Sequence, residues 1–184
     1  MKEIARYLFE IGSLKRIPRS GWQTAGIKSP ETVAEHSFRT AIIGYILAKI
    51  EGADARFVSL ICLFHDTIES RILDLHRLAK KYLEVSDTVE QNVIRDQIRN
   101  LPEPIKSEIS NIFMEYQTQD TIEGKIAHDA DKLDMLLQAI EYKNAGYHVD
   151  EWITSAIESL YLNTSKELAK AILSISPDSW YSQI

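Results

Sequence analysis

The run Phe57-Val58-Ser59-Leu60-Ile61-Cys62-Leu63-Phe64 ends abruptly at the polar pair His65-Asp66. Asp54 precedes the run at the position of a helix N-cap, so the sequence predicts a buried helix that ends in an imidazole and a carboxylate. Burying such groups without partners is costly. A divalent metal ion is one possible partner, because imidazole and carboxylate are common ligands of divalent ions.

The rest of the chain is also predicted to be helical. No segment shows the alternating pattern of a half-buried strand, and seven glycines with five prolines are roughly half of average usage. We therefore predict an all-α fold. The predicted helices are 2–14, Ser29 or Pro30 to about Ile50, Asp54 to Asp66, Ile72–Leu83, Ser86 or Asp87 to Asn100, 104–117, 121–145, about 150–162 and 165–175.

Composition excludes several classes of protein. The 184 residues suit one domain, 1–184, with 45% hydrophobic and 26% charged residues. A net charge of −6 argues against nucleic-acid binding. One cysteine excludes an internal disulfide and a cysteine-cluster zinc site. Without a leader, or an apolar run of the roughly 18–20 residues that a membrane span needs, we expect a cytoplasmic location and no membrane partner.

Other polar residues interrupt apolar helical faces elsewhere in the chain. His36 lies near the start of a strongly apolar helix, and Asp131 and Asp134 lie one turn apart on a distal helix. Either aspartate could complete a metal site with His65-Asp66. The alternatives are ordinary ones: a lone helical histidine is more often packed or hydrogen-bonded, and Asp131 with Lys132 also fits a surface ion pair.

A basic stretch stands out in this acidic protein. Lys15 and Arg16 fit ordinary cations at a helix C-terminus. Arg19, in a loop with proline and glycine neighbours, is the better candidate for binding a phosphate, because guanidinium forms paired hydrogen bonds with phosphate oxygens. Trp22 could either stack on a base or pack in the core.

Together these residues resemble a known family. The order His36, His65-Asp66 and Asp131 in a helical chain is similar to the HD-domain metal-dependent phosphohydrolases. Four segments look like their 5′-deoxynucleotidase branch, and the resemblance covers most of residues 14–145. These segments are Leu14–Trp22, Glu31–Ser37, His65–Glu69 and Ala130–Met135.

The resemblance implies an HD-domain helical bundle of about eight to ten helices that hydrolyses 2′-deoxyribonucleoside 5′-monophosphates, with a small nucleotide as substrate and a homodimer as assembly. Glu69 would be the general base beside the attacking water, Arg19 would orient the phosphate, and Trp22 and Asp74 would contact the deoxynucleoside. Four side chains would hold one divalent ion, Co²⁺, Mn²⁺ or a similar ion: His36, His65, Asp66 and Asp131.

The chain departs from that pattern at two places. Ser20-Gly21 separates Arg19 from Trp22, a longer form that other members share. Leu73-Asp74 stands where many members have Gly-Asp, which predicts a different loop and leaves the sugar contact open. Two alternatives remain: an HD-type hydrolase of a cyclic nucleotide, nucleoside triphosphate or alarmone, and a non-enzymatic helical binding module.

Overall fold

The computed structural model describes residues 1–83 and 86–181, apart from the side chain of Asp87. Within these ranges there is no strand, only an isolated bridge between Pro18 and Thr32, so the all-α prediction is confirmed. The helices are α1 (Lys2–Ile11), a 3₁₀ turn (Gly12–Arg16), α2 (Ser20–Thr24), α3 (Val33–Glu51), α4 (Ala55–Phe64), α5 (Glu69–Ile72), α6 (Arg77–Leu83), α7 (Asp87–Ile98), α8 (Glu103–Thr118), α9 (Ile122–Asn144), α10 (Asp150–Glu158) and α11 (Asn163–Ser174).

Local capping explains the ends of the helices that form the core. The Asp54 side chain accepts hydrogen bonds from the backbone N–H groups of Arg56 and Phe57 and starts α4, as predicted. Thr121 caps α9 in the same way through Gly124 N–H. Gly52, with φ of 77°, ends α3 in the left-handed conformation that glycine adopts most readily.

Helix α3 begins later than predicted. Thr32, rather than Ser29 or Pro30, is its N-cap, because Thr32 and Glu35 form a reciprocal capping box. The Thr32 N–H donates to Glu35 Oε2 at 2.7 Å, and the Glu35 N–H donates to Thr32 Oγ1 at 3.2 Å. The helix start therefore falls at Val33.

The predicted helix Ile72–Leu83 is wrong as one element. It is divided between α5 and α6, because Leu73 has φ of 64° and ends α5. The loop predicted between residues 15 and 30 also contains the short helix α2.

The core lies where α3, α4 and α9 pack together. A Cβ at Gly44 of α3 would lie 2.5 Å from Cys62 Sγ and 3.0 Å from Val58 Cγ1 on α4, so the two helices approach more closely than alanine permits. Six large side chains are fully buried in this core: Leu47, Val58, Ile61, Ile126, Leu133 and Leu136. In the described ranges, no helix combines the length and the apolar character of a membrane span.

Candidate metal centre

The structure brings the four predicted metal ligands together from three helices. His36 lies in the first turn of α3, His65 and Asp66 follow the end of α4, and Asp131 lies on α9. His36 Nε2 is 3.3 Å from His65 Nε2, 3.2 Å from Asp131 Oδ1 and 3.7 Å from Asp66 Oδ2. Asp66 Oδ2 is also 3.1 Å from His65 Nε2. Residues up to 95 positions apart thus form one compact donor cluster.

The donor chemistry of this cluster fits a divalent ion. His36, His65 and Asp131 are buried, and each offers one ligand atom within 4.8 Å of the others. His65 Nδ1 donates to the Cys62 carbonyl at 2.7 Å, since a carbonyl can only accept, and this leaves the Nε2 lone pair facing the cluster. Two imidazoles and two carboxylates are a ligand set that divalent transition metals accept.

Asp134 supports the cluster from behind His36. Its Oδ2 lies 2.6 Å from His36 Nδ1, and its Oδ1 accepts from Arg39 Nε. A partner of this kind orients a metal-binding imidazole. Burial and Arg19 disfavour a charged His36, but its hydrogen bonds with Asp131 and Asp134 prevail and raise its pKa to about 9. Of the two aspartates that the sequence left open, Asp131 faces the cluster.

A second group of donors, formed by Glu31, His36 and Asp134, is also close enough to hold an ion. Its carboxylates already accept hydrogen bonds, Glu31 from Trp22 Nε1 at 2.9 Å and Asp134 from Arg39. The His36 atom on the side of Asp134 is Nδ1, which is already hydrogen-bonded to Asp134 Oδ2. We therefore assign this group to the support of His36.

Arg19 lies against the cluster. Its NH1 is 3.1 Å from Asp66 Oδ2, and its NH2 is 4.0 Å from Asp131 Oδ1. Burial disfavours the charge, but the carboxylates of Asp66, Asp131, Asp74 and Glu69 outweigh burial and raise the pKa of Arg19. A fixed cation therefore lies beside the donor atoms, whereas Lys15 and Arg16 are exposed at the end of the 3₁₀ turn.

Glu69 is the first residue of α5 and is buried. Burial, followed by the charges of Asp66 and Asp74, raises its pKa well above that of an ordinary glutamate. Among the described residues, none forms a hydrogen bond with its Oε2. Glu69 is thus a buried carboxyl group with an open acceptor, in the electrostatic field of the cluster.

Asp74 and Trp22, the two predicted substrate contacts, have different surroundings. Asp74 Oδ2 accepts from the Ser20 N–H at 2.5 Å, and Leu73 before it has the positive φ that favours glycine. Trp22 is 2% exposed, and its ring packs in the core with Tyr142, 5.2 Å between ring centroids. The nucleoside contacts of Asp74 and Trp22 stay predictions.

The structure adds two residues that the sequence did not reveal as part of the site. Tyr116 of α8 donates to Asp131 Oδ2 at 3.0 Å, and its ring centroid is 4.8 Å from that of His65. Lys132 Nζ lies 2.8 Å from the same Asp131 oxygen. Asp131 and Lys132 do form an ion pair, but Asp131 is buried, so the pair belongs to the site and not to the surface. Tyr116 has no motif around it, so no local signal could have indicated this contact.

Comparison with known proteins agrees with this geometry. The sequence profile of the HD domain matches residues 11–175. Human 5′-deoxynucleotidase HDDC2 is 29% identical over 143 residues, covering 78% of this chain and 70% of the human protein. The HDDC2 5′-deoxynucleotidase of Dictyostelium discoideum is 32% identical over 149 residues, covering 77% and 78%.

The fold also has counterparts among solved structures. A conserved hypothetical protein from Pyrococcus furiosus superimposes with a TM-score of 0.79 at 33% identity, covering 93% of this chain and 99% of that one. The predicted resemblance is confirmed by a profile match over most of the chain and by relatives above 30% identity. The chain belongs to the HD domain family.

Proposed function

We propose that this protein hydrolyses 2′-deoxyribonucleoside 5′-monophosphates to deoxynucleosides and phosphate, using one divalent metal ion. The observation that carries the proposal is the convergence of His36, His65 and Asp131, with Asp66 Oδ2 within 3.7 Å of both imidazoles and Arg19 beside them. The substrate class is supported by relatives that are named 5′-deoxynucleotidases.

The metal would be held by His36, His65, Asp66 and Asp131, with Co²⁺ or Mn²⁺ as the ion. When bound, such an ion neutralises charge on a phosphoryl oxygen and lowers the pKa of water. A metal-binding imidazole is neutral, so binding would displace the proton that His36 carries at neutral pH. The charges of two neutral imidazoles and two carboxylates would then balance that of a divalent ion. The site would therefore not repel a phosphomonoester dianion.

Arg19 would bind the phosphate. The contact with Asp66 holds its side chain in place, and a guanidinium carries five N–H donors, more than one carboxylate oxygen can accept. The donors that remain suit two phosphate oxygens at once. The backbone of Arg19 is also fixed, because its N–H donates to the Glu31 carbonyl at 2.9 Å.

Glu69 would act as the general base. Its raised pKa brings a carboxylate closer to the basicity that proton transfer near neutral pH requires. As a water oxygen bonds to phosphorus, Glu69 takes one of the water's protons. The bond from phosphorus to the 5′ oxygen breaks, and that oxygen leaves with the deoxynucleoside and gains a proton from solvent.

Asp74 would contact the deoxynucleoside, and Trp22, whose ring is buried against Tyr142, would lie behind that side of the site. Two hydrogen bonds tie the loop of residues 73–76 to α2. The Ser20 N–H donates to Asp74, and the His76 N–H donates to Ser20 Oγ at 3.0 Å. Asp74 is thereby held beside Ser20, the residue that follows Arg19 in the chain. A carboxylate in that position suits a sugar hydroxyl, which donates to it.

The broader expectations are also proposals. A single domain over residues 1–184 is supported by the family match to 11–175. A homodimer is supported by an exposed apolar stripe on α3 at Phe38, Ile42 and Ile46, at helical spacing. Sedimentation of the parent and of Ile46→Glu tests it: we expect the parent to be dimeric and the variant to dissociate. A cytoplasmic location stays a prediction.

The test of the proposed reaction is phosphate release from a panel of nucleotides. We expect metal-loaded protein to release phosphate from deoxynucleoside monophosphates, a chelator to stop it, and Co²⁺ or Mn²⁺ to restore it. Asp66→Asn should reduce activity to background, whereas Asp178→Asn, at an exposed position, should not. No release from any deoxynucleoside monophosphate would exclude this substrate class, and turnover of cyclic nucleotides or triphosphates alone would favour the other HD-type reactions.

A further inference from the structure

The two oxygens of Asp131 have different surroundings. Oδ1 faces the donor cluster, 3.2 Å from His36 Nε2 and 4.0 Å from Arg19 NH2. Oδ2 faces away and accepts from Tyr116 Oη at 3.0 Å and from Lys132 Nζ at 2.8 Å. The carboxylate is therefore held at one oxygen and offered to the cluster through the other.

Tyr116 links two of the proposed ligands. It comes from α8, a helix that supplies no ligand to the proposed site, and its ring lies 4.8 Å from the ring of His65. The phenol keeps its proton, and a phenol has only one to donate. Tyr116 uses that proton in its hydrogen bond to Asp131 Oδ2.

Lys132 adds a charge-assisted hydrogen bond to the same oxygen. Its side chain is partly buried beside that carboxylate. Hydrogen bonds of this kind are shorter and stronger than neutral ones. With both donors in place, rotation of the buried carboxylate would break two hydrogen bonds.

We propose that Tyr116 and Lys132 are positioning residues that hold Oδ2 of Asp131, so that Asp131 ligates the metal through Oδ1 alone. This inference rests on the proposed metal site. A carboxylate that binds through both oxygens takes up two coordination positions, whereas one oxygen takes up one. The hydrogen bonds would thus keep a position open for water or for a phosphate oxygen, as a catalytic metal site requires.

The experiment is a Co²⁺ titration of metal-free protein, followed by visible absorption and by competition with a chelator. The variants are Tyr116→Phe, Lys132→Met and the double variant. Groups that orient metal ligands are typically worth about 10–100-fold in affinity. We expect about a 10-fold loss for each single variant and about 100-fold for the double, with a changed Co²⁺ spectrum that indicates higher coordination.

Matched controls separate positioning from structure. Tyr45→Phe and Lys170→Met make the same chemical changes at exposed positions, and we expect parental affinity and spectrum for both. Lys132→Arg keeps the charge and should recover most of the affinity. Circular dichroism verifies that the variants fold, and Lys132→Met, at a partly exposed side chain, tests the proposal even if Tyr116→Phe does not fold.

The outcomes distinguish this proposal from the proposed function. Parental affinity and spectrum in Tyr116→Phe and Lys132→Met would overturn the positioning role and leave the hydrolase proposal standing. Weaker Co²⁺ binding with an unchanged spectrum would show that Tyr116 and Lys132 do not limit Asp131 to ligation through Oδ1. That result would also overturn the proposal. Failure of the parent protein to bind Co²⁺ would overturn the metal site itself, and with it both proposals.

Discussion

The two sides of the candidate site are held in different ways. On one side, α3, α4 and α9 pack through fully buried apolar side chains, and Gly44 allows the closest approach. On the other side, the segment 66–76, which carries Glu69 and Asp74, consists of turns and one short helix. Apart from Ile68 and Ile72, which pack in a second apolar cluster, polar contacts with distant parts of the chain hold it. These include Arg71 with Glu10 at 2.5 Å and Gln97 Nε2 with the Thr67 carbonyl at 3.1 Å.

The difference separates two tasks. Apolar packing places the histidines and Asp131 in a rigid frame, because a close-packed interior has few alternative arrangements. Hydrogen bonds and ion pairs place Glu69 and Asp74, and water, salt and protons compete with such contacts. We therefore expect the metal side to respond to volume changes and the 66–76 segment to respond to pH.

The largest effect is expected where the rigid frame depends on one polar group. Asp134→Ala leaves His36 Nδ1 buried without its partner and removes one acceptor from Arg39, so unfolding in urea should show a loss of about 3 kcal/mol. The control Asp150→Ala breaks an exposed ion pair with Lys143 and should leave stability unchanged. Equal losses in the two variants would contradict the distinction.

The next effect tests packing alone. Gly44→Ala places a methyl group against Cys62 and Val58, and we expect a loss of about 2 kcal/mol in the free energy of unfolding. Gly12→Ala is the matched control, because a Cβ there meets nothing within 4 Å and the backbone is right-handed helical. It should be neutral or slightly stabilising. If Gly44→Ala behaves like Gly12→Ala, the close approach of α3 and α4 is wrong.

A smaller effect, dependent on pH, is expected in the 66–76 segment. The hydrogen bond with Arg71 outweighs burial and keeps the pKa of Glu10 below its ordinary value. A carboxyl with a lowered folded-state pKa stabilises the protein at neutral pH, and this contribution is lost as pH falls through that pKa. Glu10→Gln should therefore cost about 1 kcal/mol at pH 7, because the pair is partly exposed, and less in acid.

Unfolding of Glu10→Gln and parent at pH 7 and at about pH 3 measures this difference. We expect the two proteins to be closer in stability at the lower pH, because protonation of Glu10 removes the contribution that its lowered pKa makes. A gap that stays constant between the two pH values would show that the Glu10–Arg71 pair does not hold the segment through charge.

The smallest effect is expected at Leu73. Its φ of 64° is unfavourable for a side chain, so Leu73→Gly should relieve strain and stabilise the protein by less than about 1 kcal/mol after the entropy of glycine is counted. Leu78→Gly is matched, because both leucines are 59% exposed but Leu78 lies in α6. It should destabilise by about 0.5–1 kcal/mol. Equal losses would exclude strain at Leu73.

The sequence alone determined most of the helices and pointed to His36, His65 and Asp66 as ligands, whereas only the family resemblance set Asp131 apart from Asp134. Asp54, Thr121 and Gly52 act on backbone groups within a few residues, and His65-Asp66 follows directly on its buried helix. Such interactions are local, so the spacing of residue types is sufficient to predict them. The capping box at Thr32 is also local, but Ser29 and Pro30 are equally typical of a helix start, so the sequence did not choose the correct one.

Only the tertiary structure decided which aspartate faces the cluster and what holds it. His36 and Asp134 are 98 positions apart, and Tyr116 reaches Asp131 from another helix. Asp131 and Asp134 lie one turn apart on the same helix, so the pattern of α9 does not distinguish them. The choice depends on how α3 and α8 pack against α9, and that packing is set by contacts between side chains far apart in the chain.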